Sequence, residues 1–529
     1  MISKVLITGF TLLLLGCAKD PNTGKNLPAA KAEVVTLHPN NKIFTIDTSY
    51  FSKETAEIKI YYKNKNYSSL WANENDRKTL LLCIAAAKQD GLLPNDYNYD
   101  TLTAFEKSKK LSGKESMVYD LLLTQSFYKL ALHLFKGKTE ATGIYEDWAL
   151  QQKKLDINPL LEEALNNHTV DKIMDRCRPP HKMYESLRKS LVYLNSLPGD
   201  SNLEEIIIEE SIKENDSLPQ VALIKKRLTY WKDLELSDSI TYVYDSKAIE
   251  AVKKFQKRHG FYPDGVVGKK TAEALNISLE ERKEQVIVNL ERWRWFTHDF
   301  GQSAVIINIP DYTLALVNNN DTIATHKVVV GKPDRPTPVL DSKMNYLVIN
   351  PTWTVPPTIL KKDLTPKAKA DLNYFAENNM RIFDRENNEV LPEEWNPKLA
   401  DTYKYVQNPG NSNALGNIKF NYYNRFSVYL HDTNHREMFS MSHRALSSGC
   451  IRVQNPLELA EKILSKEDSE WNSDKLNEMI AEGETEKIYL KNTNNVHQLY
   501  WTAWMDKNGL QFRNDIYNLD KVLYQKLRN

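Results

Sequence analysis

Apolar residues recur at helical spacing through the first third of the chain and at strand spacing through the last half. Tyr119, Leu122, Leu123, Phe127, Leu130 and Leu134 follow at three- and four-residue steps and stop before Gly137, which predicts a helix ending on glycine. A second apolar helix runs through Leu80-Leu81-Leu82-Cys83-Ile84-Ala85 and ends at Gly91-Leu92-Leu93-Pro94. Residues 46–212 therefore read as a helical scaffold with apolar faces and charged backs. From 213 to 280 the helices shorten. Val221, Ile224 and Leu228 mark one. Ile249, Val252 and Phe255 mark another, with Asp245 as N-cap and Gly260 past its end. Pro263-Asp264-Gly265 is a turn, and Gly268 opens a third short helix facing Ala272 and Leu275 inward.

Beyond residue 300 the period becomes that of strands. Residues 305–307, 313–317 and 322–330 are runs rich in β-branched side chains, and Asn318-Asn319-Asn320-Asp321 between the last two is a hairpin signal. The stretch 361–408 turns charged and helical or irregular around Trp395; it is long for a connection and predicts a lid or insertion over a site. The expected fold class is α+β and multi-domain: a helical scaffold, a small three-helix module and a β-rich domain over 300–529.

Charge and composition narrow the partners. Lys+Arg 70 against Asp+Glu 69 gives a net charge of +1, with no basic excess of the kind a nucleic-acid surface needs. At 41% hydrophobic and 26% charged residues, sizeable cores are available and global disorder is excluded. The first residues change the picture more. Lys4 precedes an apolar run from Val5 to Leu15, too short to span a bilayer comfortably, that ends in Leu14-Leu15-Gly16-Cys17. That ending resembles a bacterial lipobox, which implies a signal peptide over 1–17, cleavage before Cys17 and acylation of its thiol. The alternative is an ordinary signal peptide with a chance cysteine. Residues 18–45, with Pro21, Gly24 and Pro28, read as a flexible tether.

Of the four cysteines, lipidation consumes Cys17 and leaves three, so at least one thiol stays free. Cys83 lies in a helical core run, and Cys177 precedes Arg178-Pro179-Pro180 at a helix end. Cys450 instead sits in Ser447-Ser448-Gly449-Cys450-Ile451-Arg452-Val453, nineteen residues after His431 in Tyr429-Leu430-His431-Asp432-Thr433. A thiol and an imidazole are the minimum for cysteine nucleophilic catalysis, and small residues bring backbone N–H groups near a ligand as oxyanion donors. A buried, inert Cys450 is the competing reading. His443 is a rival base. A zinc site from His431, His435, His443 and Cys450 lacks a His-Glu-x-x-His arrangement, so no metal and no cofactor is expected.

Two longer patterns carry resemblances. The run Ala251 to Gly260, with Phe255-Gln256, then Asp264-Gly265, Gly268 and Thr271, resembles the three-helix peptidoglycan-binding domain of cell-wall enzymes. Its residues are mostly turn and core positions, and His259 reads as structural. Val330-Gly331-Lys332-Pro333, Asn350-Pro351-Thr352-Trp353, Asn413-Ala414-Leu415-Gly416, His431-Asp432-Thr433, Arg444-Ala445-Leu446-Ser447-Ser448-Gly449-Cys450 and Arg452 are similar to the catalytic domain of L,D-transpeptidases, the YkuD fold, in its large periplasmic type. Most of that family has histidine directly before Gly-Cys, where this chain has Ser448.

The resemblance implies Cys450 as nucleophile and His431 as base, with the thiol's pKa lowered near the imidazole. It implies a peptidoglycan tetrapeptide stem as donor, attack at its third residue, release of D-Ala, and a second stem's amine giving a third-to-third crosslink. Gly449, Ser448 and the Cys450 amide would form the oxyanion loop. Arg452 would clamp a carboxylate, unless it serves a structural ion pair. Trp353 and Tyr429 would line the cleft and Asn455 brace the loop. Water in place of the amine would make the same site an L,D-carboxypeptidase. A non-catalytic wall-binding lipoprotein would keep the fold and form no adduct with a carbapenem, the covalent inhibitor class of this family. The implied location is periplasmic, lipid-anchored to an envelope membrane.

Overall fold

The computed structural model describes residues 38–235, 239–319 and 321–529. Cys17, the signal peptide and most of the tether lie outside the described residues. Among the described residues no helix is long and apolar enough to cross a membrane.

The first helical core forms around α1 (Glu74–Ala86) and α2 (Gly113–Lys136). Ser112 and Glu115 close a capping box on α2, satisfying donors the first turn leaves free. Of the expected stripe, Tyr119, Leu123, Phe127, Leu130 and Leu134 are fully buried and Leu122 is half-buried against the same core. This core runs from Ile46 to Cys177. The next helix, α3 (Lys182–Ser196), shares its core with the β-rich body instead, through Tyr184, Leu187 and Leu191.

The small module packs α4 (Pro219–Tyr230), α5 (Ser246–Arg258) and α6 (Lys269–Asn276) around Val221, Leu228, Val252, Phe255 and Leu275. Asp245 caps α5 by accepting from the Ala248 amide at 2.9 Å. His259 is structural: its ring stacks on Phe255 and on Phe512 of the C-terminal segment, and its Nδ1 bonds the Phe255 carbonyl.

Helix α7 (Leu279–Trp295) joins the bodies. Trp293 stacks on Trp501 at 4.2 Å between ring centres, while Arg294 bonds the Asp90 carbonyl and the Tyr184 hydroxyl.

The β-rich body is built on β1 (Ser303–Asn308), β2 (Thr313–Asn318), β3 (Asp321–Gly331), β4 (Val339–Ile349), β5 (Ile418–Tyr422), β6 (Leu430–His431), β7 (Ile451–Val453) and β8 (Glu486–Leu499). Their pairings close a circuit in the order β4-β5-β6-β7-β3-β2-β1-β8, with β8 returning to β4. A side chain on a strand points to alternate faces, so each strand gives one set to the interior and one to the outside. Phe420 opposite Leu430, and Leu430 opposite Ile451, form the inward row, all fully buried.

The predicted insertion is a small subdomain rather than an irregular strap. Its four short strands, Trp353–Thr354, Met380–Phe383, Glu389–Val390 and Lys404–Gln407, pair with one another. It has its own core of Leu364, Phe375, Ile382, Trp395 and Tyr405. The aromatic residues in that charged stretch are what pack it together.

Candidate active site

The strands that bury Phe420, Leu430 and Ile451 inward carry a polar row on their other face. Lys419 pairs with His431 across β5 and β6, and His431 pairs with Arg452 across β6 and β7. Tyr429 lies two residues before His431 and Cys450 two before Arg452, so the same alternation places both beside the row. The outcome is a cleft of about 550 Å³ lined by His431, Cys450, Gly449, Ser448, Arg452, Tyr429 and Trp353, among others. All the catalytic, loop and substrate-binding residues expected within the described chain are thus brought together. Asn455 lies apart, in left-handed backbone just before the helix Pro456–Leu464.

Backbone bracing fixes the thiol's loop. Ser447 Oγ donates to the Cys450 carbonyl at 2.6 Å, and the Gly449 amide donates to Ser447 Oγ at 3.2 Å. The Gly449 N–H, expected as an oxyanion donor, is engaged within the turn. The Cys450 amide has no acceptor among the described residues. Thr337, which sequence reasoning missed, ties two loops: its Oγ1 accepts from the Gly331 amide and donates to the Gly449 carbonyl, each at 2.8 Å. Gly449 needs its missing side chain, because its φ of 109° is one that other residues rarely adopt.

The base is fixed just as locally. Asp432 accepts from the Asn417 amide at 2.9 Å and from Arg436 at 3.2 Å, holding the strand end. The adjacent Gly416 is a close approach: a Cβ there would meet Asp432 at 2.4 Å. His431 Nδ1 bonds the Asp432 carbonyl, so Nδ1 carries the proton and Nε2 is left as the acceptor. The rival base His443 is exposed, faces the Tyr312 hydroxyl at 3.2 Å and does not line the cleft. His435 pairs with Glu437. Among the described residues no group of three or more His, Cys, Asp or Glu side chains is placed to hold a metal.

Residues 302–479 match the family model of the L,D-transpeptidase catalytic domain, YkuD. Over those residues the chain is similar to an L,D-transpeptidase catalytic domain. Residues 217–275 match a family described as "Putative peptidoglycan binding domain", and residues 56–191 match a scaffold domain. A curated relative from Haemophilus influenzae, named "Putative L,D-transpeptidase", is 36% identical over 263 residues. The match covers 48% of this chain and 53% of the relative, so the chain spans about half the length of the curated relative it matches. Solved L,D-transpeptidase structures from Xylanimonas cellulosilytica and Stackebrandtia nassauensis are each 14% identical, covering 55% and 54% of this chain and 98% and 94% of theirs. Their TM-scores of 0.18 and 0.21 are too low to bear on fold or function.

Electrostatics of the transpeptidase domain depart from the expected Cys–His pair in one respect. Burial pushes the Cys450 thiol above its ordinary pKa, rather than the imidazole pulling it down. The groups that oppose this are Tyr429, Lys419 and Arg452. Burial, then the nearby Arg452 guanidinium, push His431 down to about 3, so the imidazole is neutral and able to accept a proton. Arg452 has no carboxylate partner: its Nε is buried without an acceptor and its Nη1 touches Met438 Sδ at 2.9 Å. The structural ion pair considered for it is absent among the described residues. Cys83 and Cys177 behave as core thiols, each pushed up to about 11 by burial.

Proposed function

We propose that this protein is a cell-wall L,D-transpeptidase that forms third-to-third peptidoglycan crosslinks. The observation that carries the reading is the shared cleft. A thiol, a neutral imidazole with a free acceptor nitrogen, and a guanidinium without an acidic partner line one opening large enough for a peptide stem. Cys450 gives its proton to His431 Nε2, and the sulfur attacks the carbonyl of the stem's third residue. The Cys450 amide steadies the oxyanion. The C–N bond to D-Ala breaks, and His431 returns the proton to the leaving amine. A second stem's side-chain amine then attacks the thioester and releases the thiol. Arg452 clamps a stem carboxylate in a bidentate contact. Trp353 and Tyr429 form the cleft walls, and the subdomain over the site limits water, which would otherwise yield carboxypeptidase products.

The module resembling peptidoglycan-binding domains suits a wall substrate, and the lipobox-like Leu14-Leu15-Gly16-Cys17 suits a lipid-anchored periplasmic location. The same nucleophile would be acylated by a carbapenem. Incubation with a disaccharide-tetrapeptide, read by mass spectrometry, tests the reading. A crosslinked dimer absent with Cys450→Ala supports it. Tripeptide alone redirects it to carboxypeptidase activity. Unchanged products with Cys450→Ala, or no product and no carbapenem adduct with the native chain, overturn it.

A further inference from the structure

A neutral base beside a thiol whose ionisation burial disfavours leaves the thiolate in need of another partner. The strand register supplies one. Lys419, the cross-strand neighbour of His431, carries its ammonium 3.9 Å from the centre of the Tyr429 ring, on the cleft face of the sheet. Tyr429 in turn lines the same cleft as the thiol, and its carbonyl accepts from the Ile451 amide next to Cys450. No carboxylate forms an ion pair with Lys419 among the described residues, although the side chain is half-buried. A buried cation without an acid partner is costly unless a negative charge arises beside it.

We propose that Lys419 is a positioning residue that holds the Cys450 thiolate, the anion its ammonium is placed to meet, through the Tyr429 ring it packs on. The role rests on Cys450 being the nucleophile, but not on whether amine or water resolves the acyl-enzyme. When the S–H bond breaks, the proton goes to His431 Nε2 and the electron pair stays on sulfur. The imidazolium formed is then one cation, and Lys419 and Arg452 are two more around one thiolate. The charged and titratable groups facing the thiol are Tyr429, Lys419 and Arg452, with Tyr422 from β5 and His431 from β6. Those facing Lys419 are Cys450, Tyr429, His431 and, from β8, Lys487. Glu437 faces Arg452 from the segment after β6. Burial lowers the Lys419 pKa, and the sulfur's charge works against that lowering. Lysine and thiol ionisation are thereby linked, so each favours the charged form of the other.

Alkylation of Cys450 by iodoacetamide across pH, followed on its peptide by mass spectrometry in the full chain, tests this without any peptidoglycan. Lys419→Met is expected to raise the alkylation midpoint by about one pH unit and to slow alkylation at pH 7 about tenfold. Lys419→Arg, which keeps the charge, is expected to stay within about threefold of native. Cys177, buried in the helical core, reports folding by staying unmodified. A native midpoint in folded Lys419→Met overturns the proposal. The converse arm does not depend on that variant folding: in Cys450→Ala the Lys419 side chain, followed by NMR of ¹³C-labelled lysine, is expected to titrate at lower pH than in the native chain. An unchanged Lys419 titration there also overturns it. Failure of crosslinking alone would count against the transpeptidase reading and leave this linkage measurable.

Discussion

Asp90 is a fully buried charge and Lys419 a half-buried one, and their surroundings are opposite. Asp90, fully buried at the edge of the helical body, accepts from Arg178 and the Tyr184 hydroxyl and forms an ion pair with Arg188. Arg294 reaches its backbone carbonyl from α7, and Glu291 pairs with Arg294. Around the cleft, neither Lys419 nor Arg452 forms an ion pair among the described residues, and His431 keeps an acceptor nitrogen free. Where charge is paired, it locks α3, α7 and the first helical core into one arrangement. Where it is unpaired, the fold bears a cost that only a reacting thiolate or a stem carboxylate can offset. The contrast separates scaffold from site without reference to any relative.

The sharpest test of the contrast removes the atom it centres on. Cys450→Ala is expected to abolish crosslinking, a loss of at least about 1,000-fold, while leaving the folded state within about 1 kcal/mol of native in chemical denaturation. A variant that still made dimers would dissolve the distinction. Breaking the paired side is expected to do the reverse. Asp90→Ala removes the buried carboxylate between Arg178 and Arg188 and leaves each only its more exposed partner, Asp175 or Glu185, at an expected cost of about 3 kcal/mol. Folded molecules of that variant should still alkylate Cys450 at the native rate. Loss of reactivity in parallel with stability would show that the two regions are not separable.

Much of this arrangement could be read from residue order, for a physical reason. Helical stripes such as Tyr119 to Leu134 repeat at a fixed spacing, and Asp245 and Gly260 bracket α5 by local backbone chemistry alone. Cys450 and His431 carried their own signal in the residues that flank them. Lys419 did not, although the alternation Ile418-Lys419-Phe420-Asn421-Tyr422 already sets it opposite Phe420. Which strand it would pair with, and at what register, depends on the turn before Tyr429 and on the whole closed circuit. The same holds for Thr337, whose two hydrogen bonds span residues 331 to 449. The commitment of the Gly449 amide to Ser447 is a matter of one turn's geometry, which composition does not encode.

Gly416 offers a milder way to sharpen the comparison, because it acts on the site through shape and not charge. Its φ of 59° disfavours any side chain, and a Cβ would drive into the Asp432 carboxylate that holds the end of β6. Gly416→Ala is expected to cost about 1–3 kcal/mol and to lower turnover by about tenfold or more as His431 shifts. Native turnover in this variant would mean that the base is positioned from elsewhere.

The smallest effect is expected at Arg452, and it discriminates best between a charge kept for substrate and one kept for the fold. Arg452→Gln removes a guanidinium with no ion-pair partner, so stability should change by less than about 1 kcal/mol or even rise, as burial of a lone cation is relieved. The loss should fall on binding: KM for the tetrapeptide donor is expected to rise about tenfold, with kcat changed much less, because a carboxylate clamp holds ground state and transition state alike. Arg452 is also the second-largest cause holding His431 down to about 3, so its removal should raise the pKa of the base. With a neutral imidazole needed to take the thiol proton, the acidic limb of the pH–rate profile should then move to higher pH. A fall in kcat with KM unchanged would instead place the guanidinium against the developing oxyanion. A large loss of stability would return Arg452 to the class of charges that Asp90 represents.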